Sequence, residues 1–292
     1  MRIAEYITDI EQRFLRADLS YGHGTDNPAD EAWYLVLGSL NICFDCDGLE
    51  LQRQLEPQEL ALLEARVSQR VEEKVPVAYL VGEAWFAGLR FKIDNRALIP
   101  RSPIAELIIN RFQSVVKSEP KRFLDLCTGS GCIGIASALQ FTSAAVDLAD
   151  NSSDALLLAQ ENIDRHALSN RVRIVESNLF SNLQQSYDLI VCNPPYVSLE
   201  EIGALPKEYH HEPVTGLLSE NNGLDIPLQI LQQAADYLQK EGVLIMEVGY
   251  SHLALSERLP QVPFMWLDFE QGGEGVFVLS RSQLLKYRDS FF

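Results

Sequence analysis

The 292-residue chain is 47% hydrophobic, apolar enough for one large core or two. With 24 Lys and Arg against 41 Asp and Glu, and a net charge of −17, it is poorly suited to gripping a phosphate backbone and better matched to a basic protein partner. The longest apolar run, Ala32 to Phe44, is interrupted by Gly38, Ser39 and Asn41, and it is too short to span a bilayer. The first residues, MRIAEYITDIEQRF, carry acids throughout and no small-residue cleavage site, so a secretory signal is not expected and a cytoplasmic protein is.

Residues 1–78 read as a small helical domain. Asp26 or Asn27 can cap a helix with Pro28 in its first turn, and Pro57 opens another whose Leu60, Leu63, Val67 and Val71 share one face. Five cysteines, an odd number, fit reduced thiols better than a disulfide framework. Cys43 and Cys46 form a lone CxxC with no second ligand pair at zinc-like spacing. Buried thiols on a helix, and no metal, are expected there.

Residues 79–98 read as a connecting β-hairpin, with Leu89, Phe91 and Ile93 alternating and Ala87-Gly88 as the turn. In the remaining segment, 99–292, Ser102 and Pro103 cap an amphipathic helix carrying Ile104, Leu107, Ile108 and Val115. From Arg122 onward, strand and helix alternate. FLDLC, AAVDLAD, VRIVES, YDLIVC and GVLIMEVG read as strands, separated by CIGIASALQ, SDALLLAQENIDRHA and PLQILQQAADYLQK as helices. That pattern predicts an α/β fold with a doubly wound, mostly parallel sheet and helices on both faces. The last stretch, FMWLDFEQGGEGVFVLS, reads as an antiparallel hairpin that closes the sheet at seven strands.

Two motifs carry chemistry. After the first sheet strand the chain reads DLCTGSGCIG, in which Gly129, Gly131 and Gly134 match GxGxxG, and Asp150 ends the next strand. Glycines permit a tight turn and close backbone approach, and an acid at the second strand tip can take both hydroxyls of a ribose. A nucleoside cofactor is expected, although this fingerprint alone does not separate a dinucleotide from S-adenosylmethionine. Asp125, inside the first strand, can hold the loop or, indirectly, a cationic end of the ligand.

The second motif, Asn193-Pro194-Pro195-Tyr196, follows the strand YDLIVC. Two prolines remove two backbone donors, fix φ and forbid helix, so the chain leaves the sheet as a stiff extended loop. The Asn193 side-chain oxygen and the Pro194 carbonyl are two acceptors that can take both N–H bonds of a planar NH2 group, while the Tyr196 ring can stack on its plane. Such a loop receives an amide or an aromatic amine. An amide nitrogen is a weak nucleophile, so orienting it toward an electrophilic methyl is the main help available, worth up to roughly 7–11 kcal/mol. No general base is required, and His210 and His211 are expected as solvated loop residues.

With both motifs in place, the chain resembles the class I S-adenosylmethionine-dependent methyltransferases with an (D/N)PPY signature, and more closely the protein N5-glutamine methyltransferases. PVAYLVG, ALIPRSPIAELI, DLCTGSGCI, NPPYV, HEP, NGLD and GGEGVFVL carry the likeness over nearly the whole chain. The resemblance implies that Asp125, Cys127, Thr128, Gly129, Ser130 and Gly131 serve the methionine end of S-adenosylmethionine and Asp150 the ribose. It implies Asn178 and Leu179 for the adenine, and Asn193, Pro194, Pro195 and Tyr196 for the glutamine side chain, with Asn193 also near the cofactor. PRSPIAE and CTGSG are similar to the branch acting on ribosomal protein three of the large subunit, rather than to the branch acting on the GGQ glutamine of peptide-chain release factors. The family commonly has Asp where Asn178 stands, and Ile-Ser-Pro where Asn151-Ser152-Ser153 stand. The helical domain would then recognise substrate, and segment 99–292 would be the methyltransferase domain. Three other readings are a nucleic-acid adenine N6-methyltransferase, which the acidic charge disfavours, an NAD-dependent oxidoreductase, which leaves NPPY unexplained, and a non-catalytic ribosome-associated binding module.

Overall fold

Four helices open the chain: α1 (Ile3–Arg16), α2 (Pro28–Ser39), α3 (Pro57–Ser68) and α4 (Val77–Val81). The computed structural model describes residues 1–113 and 115–292. Asn27 caps α2, its side chain accepting from the Asp30 N–H at 2.9 Å, with Pro28 at the first helical position. On α3, Leu63 and Val67 are fully buried, while Val71 lies beyond the helix in a wider π turn, Gln69–Glu73. Cys43 and Cys46 are not buried on a helix as expected. They sit in the loop after α2, where Asn41 adopts φ +54° and turns the chain away, and Cys43 is exposed.

The hairpin is β1 (Glu83–Phe86) and β2 (Leu89–Lys92), paired antiparallel from Glu83↔Lys92 to Phe86↔Leu89. Ala87 and Gly88 both have positive φ, the backbone of a two-residue turn whose twist matches the strands. Next comes α5 (Ile104–Ile109), which ends before Val115. Arg111 and Phe112 both adopt positive φ and break the helix, so Val115 packs from a turn instead.

The large sheet contains β3 (Arg122–Leu126), β4 (Ala145–Asp150), β5 (Val172–Glu176), β6 (Tyr187–Cys192), β7 (Leu238–Glu247), β8 (Met265–Trp266) and β9 (Val276–Ser280). Their order is β5-β4-β3-β6-β7-β9-β8. β3 to β7 run parallel, and β9 pairs antiparallel with both β7 and β8, as the terminal hairpin predicted. The connecting helices are α6 (Cys132–Gln140), α7 (Ser153–Arg165), α8 (Leu199–Ala204), α9 (Asp225–Tyr237), α10 (His252–Arg258) and α11 (Arg281–Lys286). β7 begins at Leu238, four residues before the expected GVLIMEVG, because Tyr187↔Leu238 pair across an irregularity in the β6 ladder.

One apolar cluster fills each face of this sheet, and a third joins the N-terminal helices to Ala84, Ile93, Ala97, Ile99 and Leu158. The helical segment therefore shares its core with the connector and with α7.

Candidate active site

β3 and β6 are neighbours, and the chain winds away from them in opposite directions, so the crevice beyond their carboxyl ends is the switch point of the sheet. A cavity of about 560 Å³ opens there, a size typical of small-molecule sites.

Its floor is the loop between β3 and α6. Cys127, Gly129 and Gly131 all adopt positive φ, and Asp125 fixes the loop from below. Asp125 Oδ2 accepts from Thr128 Oγ1 at 2.5 Å and from the Gly134 N–H at 2.8 Å. Asp125 is 0% exposed, and burial pushes its carboxyl up to about 7, opposed by those two donors. It therefore holds the loop and does not line the cavity. Gly131 is also absent from the lining, whereas Cys127, Thr128, Gly129 and Ser130 are part of it. Gly134 marks the closest approach of α6 to the sheet, since a Cβ there would lie 2.2 Å from Leu148 Cδ2 and 2.9 Å from Asp125 Cβ.

Asp150, at the end of β4, accepts from the Gly129 N–H through Oδ2 and from the Ser152 N–H through Oδ1, both at 2.9 Å. Each oxygen keeps a lone pair, and the residue lines the cavity. Burial raises its pKa against those backbone donors. Ser177, Asn178 and Leu179, beyond β5, line the adjoining wall. This turn is bonded to the β4 end through the Ser177 N–H and the Asp150 carbonyl at 2.8 Å.

Asn193, Pro194, Pro195 and Tyr196 line the cavity just past the end of β6. Tyr196 is held at several points. Its hydroxyl donates to Glu247 Oε1 at 3.1 Å, and its carbonyl accepts from Ser251 Oγ at 2.8 Å. Its ring lies against Gly249, at φ +47°, where a Cβ would come within 2.6 Å of Tyr196 Cε2. Burial, with Glu247 adding repulsion, raises the Tyr196 pKa well above its usual range, so the phenol stays protonated. Glu247, on the last residue of β7, also accepts from Ser102 Oγ at 2.5 Å, and burial raises its pKa.

The facing wall is built from residues 96–102 and 213–218 with Tyr209. Arg101 clamps the two parts together by donating to both oxygens of Glu212, at 2.6 and 2.8 Å, with its guanidinium 5.2 Å from the Tyr209 ring centre. Glu212 Oε1 also accepts from the Ile99 N–H at 3.0 Å. His23, from the helical segment, packs on Tyr209, and burial pushes its pKa down to about 4 despite Glu212 nearby. Arg70 completes the bridge, donating to Glu31 at 2.9 Å, to Glu208 at 2.9 Å and to the Ser20 carbonyl at 2.8 Å. His211 is not simply solvated, because its Nε2 lies 2.8 Å from the Glu73 carbonyl; His210 is exposed.

The sequence pointed to the two loops and Asp150 but not to Glu247, Arg101 and Tyr209 in the lining, nor to Glu212 behind it. The strings PRSPIAE and HEP held the available signal for Arg101 and Glu212. Among the described residues, no group of three or more His, Cys, Asp and Glu is arranged to hold a metal, and no helix is long and apolar enough to cross a membrane.

A protein of Francisella tularensis named ribosomal protein uL3 glutamine methyltransferase is 44% identical over 292 residues, covering 99% of this chain and 93% of that protein. This chain belongs to the uL3 glutamine methyltransferase family. A second member, from Xanthomonas campestris, is 47% identical over 277 residues, covering 94% of this chain and 90% of its own. The methyltransferase small domain model matches residues 104–205, the span from α5 through the glycine loop and NPPY. Among solved structures, the hMettl16 catalytic domain in complex with MAT2A 3′UTR hairpin 6 is similar with a TM-score of 0.50 and 17% identity, over 77% of this chain and 81% of that one. That likeness concerns the fold alone.

Proposed function

We propose that the protein transfers a methyl group from S-adenosylmethionine to the side-chain nitrogen (N5) of a glutamine in ribosomal protein uL3, acting in the cytoplasm. The observation that carries the reading is the shared cavity: the glycine loop, Asp150 and the Asn193–Tyr196 loop converge on one opening at the switch point. The names of the family members support uL3 as the substrate, and the charge of −17 favours a basic partner.

The residues fit the cofactor. The open loop at Cys127–Ser130 suits its amino-acid end, the free lone pairs of Asp150 suit two ribose hydroxyls, and Asn178 and Leu179 suit the adenine. Asn178 would accept from the adenine amino group without charge. Asp125 contributes by fixing the loop, not by contact. S-Adenosylmethionine supplies an electrophilic methyl carbon on a sulfonium.

The chain's own part is positioning. The Asn193 side-chain oxygen and the Pro194 carbonyl accept the two amide N–H bonds, and the Tyr196 ring covers the carboxamide plane. An amide nitrogen held in this way would present its lone pair toward the methyl group that the cofactor would supply. Acceptors already bonded to the N–H groups would stabilise the positive charge that develops there until the proton is lost to solvent. Residues 1–78 form the substrate-recognition domain, residues 79–98 the connector and residues 99–292 the methyltransferase domain.

The test is one incubation with radiolabelled methyl donor, offering uL3 from unmethylated ribosomes, a release factor with a GGQ motif and DNA side by side. Label in uL3 supports the proposal; label in the release factor or in DNA reassigns the substrate, and no label in any of them removes the reading.

A further inference from the structure

Glu247 is 5% exposed and stands at the cavity wall. Its side chain accepts from two hydroxyls, Ser102 at 2.5 Å and Tyr196 at 3.1 Å. Burying a carboxylate is costly, and hydroxyl donors repay less of that cost than a bidentate guanidinium does. The neighbouring Arg101 spends its fork on Glu212 instead. Stability alone is therefore a poor reason for an acid at this position, and its geometry supplies a better one.

Each Glu247 oxygen takes one hydroxyl, and the two hydroxyls come from separate segments that both line the cavity. Ser102 sits in the segment that enters from the hairpin, where its Oγ also accepts from the Ile104 N–H at 3.2 Å. Tyr196 sits on the NPPY loop. The Tyr196 ring swings about bonds near its backbone, so a tether at the far hydroxyl restricts its tilt more than any contact near the backbone would. Gly249 blocks motion on one side of the ring, and Glu247 fixes its end.

We infer that Glu247 is a positioning residue for methyl transfer: through the Tyr196 hydroxyl it fixes the ring against which the acceptor carboxamide lies, and through Ser102 it ties the segment entering from the hairpin to the same point. This rests on the reading of NPPY as the acceptor loop given above. The Tyr196 hydroxyl is engaged with the protein and does not serve the substrate.

The experiment is a double-mutant cycle on the full chain. Methyl transfer to uL3 and S-adenosylmethionine affinity by calorimetry are measured for wild type, Glu247→Ala, Glu247→Gln, Tyr196→Phe and the Ala/Phe double variant. Glu247→Ala is expected to lower kcat by about 10- to 100-fold while leaving cofactor affinity within about twofold. Glu247→Gln, whose amide can accept from Tyr196 and donate to Ser102 Oγ, should recover to within about fivefold of wild type. In the Tyr196→Phe background, Glu247→Ala should cost several-fold less than in wild type, because the tether to the ring is already gone and only the one to Ser102 remains to be lost.

An undiminished cost in that background, or cofactor affinity falling in step with kcat, would overturn the inference. So would a Gln variant as impaired as the Ala variant, which would show that charge is needed and not geometry. Where Glu247→Ala does not fold, Tyr196→Phe decides: wild-type kcat there refutes the tether, and a several-fold loss with unchanged KM supports it. A wild-type protein that labels no glutamine overturns the underlying reading and the inference with it, a result distinct from those above.

Discussion

Replacing Arg70 by alanine tests the bridge between the helical segment and the cavity wall. Arg70 is 1% exposed and stands among Glu31, Glu208 and the Ser20 carbonyl. Its removal leaves two buried carboxylates, 2% exposed each, without their cation, and breaking a buried pair from one side costs about 3–5 kcal/mol. For a chain of 292 residues, an unfolding entropy of about 2.1 cal/mol/K per residue converts that loss to a fall in Tm of roughly 5–8 °C.

The pH dependence has a definite sign. In the wild type, burial raises the Glu31 pKa against the pull of Arg70, whereas the hydrogen bonds from Arg70 and Ser20 overcome burial and lower that of Glu208. Glu208 therefore adds stability above the ordinary carboxylate range and loses it as pH falls through its lowered pKa. Without Arg70, desolvation is left to raise both pKa values, and the folded variant then binds protons that the unfolded chain has released. Its stability falls as pH rises, so the deficit against wild type should be larger at about pH 8 than at about pH 5. Denaturant unfolding at both pH values measures this. A deficit below about 1 kcal/mol, or one that does not grow with pH, would refute the assignment of Arg70 as the charge that keeps the bridge folded.

Three further outcomes are expected. Asn193→Ala should leave cofactor affinity nearly unchanged while cutting turnover by roughly 10²–10³-fold, as when one oriented polar group leaves an active site; single-turnover methylation of uL3 checks it, and wild-type turnover would detach NPPY from the acceptor. Asp150→Ala should weaken S-adenosylmethionine binding first, because it removes the ribose acceptors and frees the Gly129 and Ser152 N–H groups; calorimetry reads this, and unchanged affinity would contradict the ribose assignment. Asp125, with its carboxyl raised to about 7, makes the folded state hold a proton that the unfolded chain loses near its ordinary pKa, so it lowers stability as pH climbs toward 7. Asp125→Asn should flatten that part of the stability profile in urea titrations, and a slope identical to wild type would count against the buried acid.

Much of this molecule is written in short-range pattern. Asn27-Pro28, Ala87-Gly88 and the strand–helix alternation from Arg122 each act over a few residues, through fixed φ, capping or side-chain period, and the structure repeats them. The same is true of the glycine loop and of NPPY, whose backbone demands are local. Where the pattern failed, a neighbour had decided. Val115 left its helix after two residues of positive φ, and β7 lengthened because Tyr187 offered Leu238 a partner.

The linear sequence by itself therefore determined the doubly wound sheet and the two loops that meet at its switch point. Only the tertiary structure decided which acids work inside the cavity and which beneath it, and what holds Tyr196 and the facing wall still. The reason is separation along the chain: Ser102 meets Glu247 across 145 positions, Arg70 meets Glu208 across 138 and Arg101 meets Glu212 across 111. No period, cap or turn preference reaches that far, and such polar groups find one another only after burial has removed water as the competing partner.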